Sequence, residues 1–561
     1  MNCDIICAGM AGGLLALASG PALGAQRTKE RQLPDKPNII VILCDDLGYS
    51  DIGCYGSEIP TPNIDSLAEE GIRYRCFYNT ARSAPSRACL ITGLYPHQAG
   101  VGSLTRIPGY ENYQAYLKPG TNTIPEAIKS AGYFCFMTGK WHLNQKYTQQ
   151  IDRGFDRALA SGGGWYYSDD PNADKKGLFL NDRRCLAEDL SDHGEVWYNT
   201  ERFVDFGLSF MDEAVSEGKP FFWYLPFCAP HFPLQAPREA IERNRHKYMD
   251  GYTAVRERRW EKQKRLGLFS EGDELTPENP HKDFLHWEKM TDGQRDIADY
   301  RMAIYAACIE EIDRNVGRVM DHLEKLGIKD NTLVFFLSDN GGNAESAFPG
   351  KWIGPDYGAS GSVVWLGAPW AGVSNTPFFL YKRHAHQGGC CTPLIISWPA
   401  AIDSSLRGSI DKENYGHLVD LMPTLVEVTG GTYPKYHDGS PVPPMEGVSL
   451  VPSLRGEKIK RPHPIIVEHE GNKMIRKGDW KLVREYEDCT EIENPWRLYN
   501  LRLDPTEMHD VSSSHPWRTR SMIRMYKRWA DHIGVEESLK FKVGAWYTPV
   551  RDYPESESFS R

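Results

Sequence analysis

Five short runs in this chain are apolar from end to end: "NIIVILC" (38–44), "YFCFMT" (133–138), "FFWYLPF" (221–227), "LVFFLS" (333–338) and "LIISW" (394–398). A strand with one wet face alternates apolar and polar residues, so runs without alternation must be covered on both faces. Helical patterns lie between them. The best spans 297–326, with Tyr305, Ile309, Ile312, Val316, Val319 and Leu323 on one face and Gly327 as a stop. "NYGHLVDLMPTLVEVTG" (414–430) reads as a second, shorter amphipathic helix. Strands alternating with helices predict an α/β fold with a largely parallel sheet between helical layers.

At 561 residues the chain holds one large domain and a smaller one. After about residue 455 the pattern changes to hairpin-joined antiparallel strands, "PIIVEHEG", "NKMIRKGDWKLVRE" and "PWRLYNLRLD", with "KGD" as a turn. A helix carrying Met522, Tyr526, Trp529 and Ile533 follows. These readings divide the chain into 1–25 (leader), 36–454 (main domain), 455–535 (α+β subdomain) and 536–561 (tail).

The first four apolar runs are each followed by polar residues: Asp45 and Asp46, Lys140 and His142, His231, Asp339 and Asn340. In open α/β sheets ligands bind beyond the carboxyl ends of the strands, so these residues converge on one crevice. Alone, each has a bland explanation as a cap, a turn or a structural histidine. Asp45, Asp46, Asp339 and Asn340 offer only oxygen, the donor set of a hard cation, Ca²⁺ or Mg²⁺, and the coordination number of Ca²⁺ leaves room for Ser83 and a substrate oxygen. Three carboxylates against a divalent ion leave −1 locally, which Lys140, Arg87 and Lys382 turn to +2. That is a pocket for an anion inside a protein of formal net charge −10. The overall charge disfavours nucleic acid and anionic membranes as partners.

In "ARSAPSRACLITG" (81–93), Pro85 suits the first turn of a helix and places Ser83 near its N-cap. Ser83 is then either a cap or a reactive group at the positive end of the helix dipole. Residues 5–19 form an apolar, small-residue leader without a preceding Lys or Arg, read as a secretory signal. No later run is apolar and long enough to span a bilayer. Thirteen cysteines are scattered without CxxC spacing, and neither zinc nor a disulfide framework follows from them. The basic run "RERRWEKQKR" (256–265) reads as a solvated helix face.

"SAPSRACLITG" resembles the signature of the type I, formylglycine-dependent sulfatases, in which a Cys or Ser followed by x-Pro-x-Arg is oxidised. "DDLGYSD", "GKWHL", "APHFP", "SDNGG" and "YKRHAHQGGCCTPLIISWP" follow in that family's order, over about residues 36–510. The resemblance implies an alkaline-phosphatase-like sandwich with a large mixed or parallel sheet and a smaller C-terminal antiparallel sheet. It implies that Ser83 becomes formylglycine (3-oxoalanine), hydrated to a diol that binds Ca²⁺ and attacks sulfur, with Asp339 helping to remove its proton. Arg87 would hold the diol. Lys140, His231 and Lys382 would bind sulfate, with His231 protonating the leaving oxygen and His142 driving sulfate release. Three departures stand out: Asn144 where Gly is usual, Gln387 where Glu is usual, and Ser at 83, which requires the radical, oxygen-independent maturase of bacteria.

Export with that maturation route implies a sulfated carbohydrate substrate and a periplasmic, Gram-negative setting. Trp165, Tyr166, Tyr167, Trp352, Trp365 and Trp370 are candidate ring-stacking residues, and His97 and Gln98 candidate sugar-hydroxyl contacts. The alternatives are a phosphonate or phosphate ester hydrolase of the same superfamily, and a glycan-binding protein with Ser83 unmodified.

Overall fold

The computed structural model describes residues 33–143, 149–162, 167–168, 177–186, 189, 197–278, 286–345, 357–437, 439–486, 494–539 and 541. The leader, Asn144, Trp165, Tyr166, Trp352 and the side chain of Tyr167 lie outside the described residues. No helix among the described residues is long and apolar enough to cross a membrane.

The apolar runs form the middle of an eleven-stranded mixed sheet. In chain order its strands are β1 (Asn38–Cys44), β2 (Ile72–Tyr78), β3 (Phe134–Lys140), β4 (Arg157–Ser161), β5 (Leu178–Leu180) and β6 (Arg183–Arg184). They continue as β7 (Phe221–Pro226), β8 (Thr332–Ser338), β9 (Cys391–Ser397), β10 (Ser409–Asp411) and β11 (Gly416–His417). The spatial order is β10-β2-β9-β8-β1-β7-β3-β4-β5-β6, with β11 also on β2. At the centre Ile40 pairs with Val334 on one side and Trp223 on the other, all parallel. Ile39 to Cys44 are fully buried, as continuous apolarity requires.

One of the five runs is turned around. β9 lies antiparallel to both β8 and β2. A strand buried on both faces has the same composition in either direction, so apolarity carries no sign of polarity. The reversal also explains why no polar cluster follows 394–398. In β9 it is the residues before the strand, including Lys382, that reach the edge where the parallel strands end.

The principal helices are α1 (Ser83–Thr92), α2 (Asn199–Ser216), α3 (Tyr252–Arg265), α4 (Asp292–Lys325), α5 (Leu421–Thr429) and α6 (Pro516–Ile533). The six residues predicted on the inner face of α4 are all buried. α4 starts five residues before the pattern suggests because Thr291 and Gln294 cap each other's backbone N–H groups. The helix read over 414–430 is shorter than its periodicity. Residues 416–417 pair with β2 instead, and the Asp420 carboxylate accepts from His417 N and Val448 N at 2.8 Å. The basic run on α3 is not a solvated face throughout: Arg259 is fully buried, 2.8 Å from both Asp51 and Glu58.

The C-terminal strands β12 (Ile465–His469), β13 (Asn472–Lys477), β14 (Trp480–Arg484) and β15 (Arg497–Asn500) form an antiparallel meander. Alternation divides it cleanly. Ile466, Ile475, Leu482 and Leu498 pack under Met522, Tyr526 and Ala530 of α6, while Ile465, Val467, Met474 and Val483 face the main core. The meander belongs to one compact unit running Pro34–Arg561.

A buried ion pair fixes that face. Lys481 Nζ lies 2.6 Å from Glu507 Oε1, both fully buried, and Glu507 Oε2 accepts from Gln387 N at 2.9 Å and pairs with His386 Nδ1 at 2.8 Å. Gln387 Oε1 takes a further Lys481 proton at 3.1 Å. With Glu507 supplying the charge, a neutral amide suffices at 387. Burial opposes ionisation of Glu507, but Lys481 and His386 overcome it and hold its carboxyl down at about 2. A depressed carboxyl contributes stability above its unfolded value, near 4.3, and that stability drains away as pH falls through about 2. Glu507→Gln is expected to cost about 3–5 kcal/mol by stranding Lys481 and to flatten the acid limb between about pH 4 and 2. Urea unfolding across that range checks both.

Candidate active site

Asp45 and Asp46 directly follow β1, and Asp339 and Asn340 directly follow β8, side by side because β1 and β8 pair in register up to Cys44 and Ser338. Asp46 takes a left-handed backbone, φ 68°, which Asp tolerates better than most residues. Its carbonyl lies 3.1 Å from the Tyr305 hydroxyl, which is also 2.7 Å from Asp51 Oδ2. The glycines of "DNGG" and "HQGG" bring Lys382 onto this cluster. A Cβ on Gly341 would sit 1.9 Å from Gly388 O, and one on Gly388 would sit 2.1 Å from Leu380 O. Only backbone fits between these two loops.

Asp46 Oδ1 lies 2.7 Å from Lys382 Nζ and accepts from Asn340 Nδ2 at 2.6 Å, while Oδ2 accepts from Asn343 Nδ2 at 2.8 Å. Lys140 Nζ donates to Asp45 Oδ2. Each ammonium keeps two further protons for the cavity. Arg87 is fully buried, and each of its three nitrogens donates a hydrogen bond. Nη2 donates to Asp339 Oδ2 at 2.8 Å, Nη1 to Lys140 O at 2.7 Å, and Nε to Ser83 Oγ at 3.0 Å.

Ser83 is the first residue of α1, not its N-cap. Arg82 holds the N-cap position, and no side chain caps the helix. The Ser83 hydroxyl is therefore not occupied with helix ends. It lies 3.0 Å from Arg87 Nε and 3.3 Å from His142 Nδ1. His231 donates from Nδ1 to Phe232 O at 2.5 Å, since a carbonyl can only accept, which leaves Nε2 as the ring nitrogen that can take up or release a proton. That Nε2 is 3.5 Å from Asp46 Oδ2. Burial, then the nearby cations, press His142 well below the ordinary imidazole value, and burial also lowers His231.

The carboxylates behave as a group that wants a cation. Burial, then Asp45, pushes Asp339 up to about 7. Asp45 Oδ1 and Asn340 Oδ1 are buried without a hydrogen-bond partner, which is costly unless something else satisfies them. Carboxylate oxygens of Asp45 and Asp46 and a His231 nitrogen lie within 4.8 Å of one another. Oxygen donors and orphaned oxygens fit a hard divalent ion.

The cavity above measures about 480 Å³ and is lined by Ser83, Lys140, His142, His231 and Lys382 among others. The anionic centre, Ser83, both histidines and both lysines are thus brought together. His97 is not. It is fully buried, 2.9 Å from Glu468 and packed against Tyr113 and Trp529, so it pins the C-terminal sheet and cannot touch a sugar. Gln98 is engaged with Glu446 and Tyr95 N. Trp365 and Trp370 are buried in packing, Trp370 donating to Ala298 O at 2.9 Å, and offer no stacking face. Asn343 escaped the sequence reading although it stands immediately after "DNGG". Arg82 and Arg383, also in the wall, stand beside Ser83 and Lys382 inside motifs already singled out, whereas Glu345 and Glu470 carry no motif that could have found them.

The family model described as Sulfatase matches residues 37–431, and one for the N-sulphoglucosamine sulphohydrolase C-terminal region matches 377–528. The chain is 36% identical to an arylsulfatase of Klebsiella aerogenes over 79% of its own length and 95% of that protein. It is 32% identical to an uncharacterized sulfatase of Schizosaccharomyces pombe, covering 89% and 94%. The crystal structure of Ps i-CgsB in complex with k-i-k-neocarrahexaose matches with TM-score 0.64 and 25% identity, over 91% of this chain and 96% of that one. With most of its length matched and an anion pocket built on the predicted strand ends, this chain belongs to the sulfatase family of sulfate-ester hydrolases.

Proposed function

We propose that the protein removes sulfate from a carbohydrate, using Ser83 in its formylglycine form beside a Ca²⁺ ion. The observation that carries this reading is the Ser83 hydroxyl. It stands at a helix start yet caps nothing, and lies between Arg87 and His142 next to buried, unbonded carboxylate and amide oxygens. Asp45, Asp46, Asp339 and Asn340 would hold the ion, which supplies Lewis acidity toward a sulfate oxygen. The oxidised, hydrated Ser83 supplies a hydroxyl nucleophile and a second hydroxyl for release, where a plain serine would be trapped as a stable ester.

The chain's own residues do the rest. Lys140 and Lys382 turn their remaining N–H groups to the sulfate and offset its charge. Arg87 fixes the oxygen at residue 83 and keeps Asp339 oriented. His142 Nδ1, kept neutral, accepts a proton at that residue. His231 would act in its imidazolium form, keeping Nδ1–H on Phe232 O and giving the Nε2 proton, taken up as the anionic sulfate binds, to the departing sugar oxygen. The carbohydrate reading draws on the neocarrahexaose complex of the structural neighbour, with maturation by a radical enzyme and export to the periplasm as its setting.

A sugar alkoxide departs poorly without a proton, whereas nitrophenolate needs none. His231→Ala is therefore expected to depress turnover of a glycan sulfate by roughly 10²–10⁴-fold and that of 4-nitrophenyl sulfate far less. His142→Ala should slow both alike and let sulfated enzyme accumulate. The check is kcat/KM for both substrates in each variant, with trapped sulfate measured by mass. Equal losses on both substrates in His231→Ala would make it a sulfate-binding group only. A parallel panel of aryl phosphate and phosphonate separates the other ester chemistries.

A further inference from the structure

Beyond the two lysines, the cavity wall carries four charges that none of these steps uses: Arg82, Glu345, Arg383 and Glu470. They form two pairs. Arg82 Nη1 lies 2.5 Å from Glu345 Oε1, and Arg383 Nη2 lies 3.1 Å from Glu470 Oε2. They arrive from separate places: the N-cap of α1, the loop after β8, the loop before β9 and the β12–β13 turn. Arg383 and Glu470 both take left-handed backbone, φ 80° and 48°, a conformation that residues with a Cβ adopt at a cost. The C-terminal meander thus reaches the cavity through the tip of its first hairpin.

We propose that these two charge-balanced pairs are the subsite for the sugar ring that bears the scissile sulfate, reading its hydroxyls and rejecting a second anionic group on that ring. The proposal rests on the sulfatase reading above. A hydroxyl both donates and accepts, and a guanidinium beside a carboxylate offers both partners within one hydrogen-bond length. The pairs sum to zero charge. His469, 3.7 Å from Glu470, adds none at neutral pH, because burial holds its imidazole down at about 4. The positive surplus of the pocket lies instead around Arg87, Lys140, Lys382 and the cation site, where the scissile sulfate goes. Lys382 Nζ comes within 3.9 Å of Glu345 Oε2, so it is at the Arg383–Glu470 end that a second sulfate or a carboxylate on the ring would lose its water against a wall with no net counter-charge.

The test uses Ca²⁺-loaded Ser83→Ala protein, which cannot turn over, and two ring pairs that differ by one anion. These are galactose 6-sulfate against galactose 2,6-disulfate, and N-acetylglucosamine 6-sulfate against glucosamine 2-N,6-O-disulfate. Calorimetry is expected to find the monosulfated ring bound on the order of tenfold tighter in at least one pair. Glu470→Gln or Glu345→Gln, added to that protein, gives the wall a net positive charge and should erase or invert the ratio. Tighter or equal binding of the disulfated ring in both pairs overturns the proposal, as does failure of all four sugars to bind. So does an unchanged ratio in folded Gln variants, with folding read from melting temperature. If a variant does not fold, the comparison on Ser83→Ala protein still decides. Turnover of 4-nitrophenyl sulfate by matured wild type is measured alongside. Turnover with the wrong ring preference sinks the subsite alone, and absence of any sulfate-ester turnover sinks the sulfatase reading too.

Discussion

Ser83→Ala is expected to reduce sulfate-ester turnover to the uncatalysed background while the protein stays folded. The structure separates the two effects. Ser83 Oγ accepts one hydrogen bond from Arg87 Nε, but Arg87 also holds Asp339 at 2.8 Å and the Lys140 carbonyl at 2.7 Å. Losing one of several bonds to a buried guanidinium costs about 0.5–1.5 kcal/mol, a shift of about one degree in Tm for a chain this long. No cap is lost, because Arg82 holds that position. Arg87→Ala should behave in the opposite way, destabilising strongly by leaving buried Asp339 without its cation. A Ser83→Ala protein that still hydrolyses sulfate esters would remove Ser83 from the reaction.

Stripping divalent metal should abolish turnover, and Ca²⁺ should restore it. The expectation has a second readout that does not depend on chemistry. Three carboxylates and the two unbonded oxygens of Asp45 and Asn340 are assembled only in the folded state. An ion that binds there and not to the unfolded chain raises stability by about 2.7 kcal/mol at a hundredfold excess over its Kd. Titrating Ca²⁺ into chelator-treated protein should therefore raise Tm, and Asp45→Asn with Asp46→Asn should remove the response. A Tm unmoved by Ca²⁺ in the wild type would mean that Lys140 and Lys382 alone neutralise the cluster.

The legible parts of this molecule are those in which chemistry and position coincide along the chain. β1 and β8 are apolar enough to be placed almost to the residue, and the acids at their ends follow immediately, so the carboxylate cluster could be read without coordinates. Strand direction could not. β9 is as apolar as its neighbours, and its reversal rests on pairing with β2, over three hundred residues earlier in the chain. His97, beyond the helix that Ser83 begins, reads as a candidate sugar contact, but Glu468, from the far end of the chain, makes it an internal strut. Arg259 lies in a basic run that reads as solvated, but Asp51 and Glu58 bury its charge from outside that run. In each case a charge was misplaced because its partner was remote, and a remote partner leaves no mark on local pattern. Arg82 and Glu470 belong to the same class: their placement in the wall depends on a helix start and a hairpin tip converging in space.

The central claim is that Ser83 is converted before it works, and the mass of its peptide tests that directly. Protein purified in active form from its native host is digested, and the peptide containing Ser83 is weighed against its calculated mass. Oxidation of the hydroxymethyl side chain to an aldehyde makes the peptide lighter by two hydrogens, and that species is predicted to rise and fall with specific activity across preparations. Fully active protein whose Ser83 peptide carries only the unmodified mass would contradict the account.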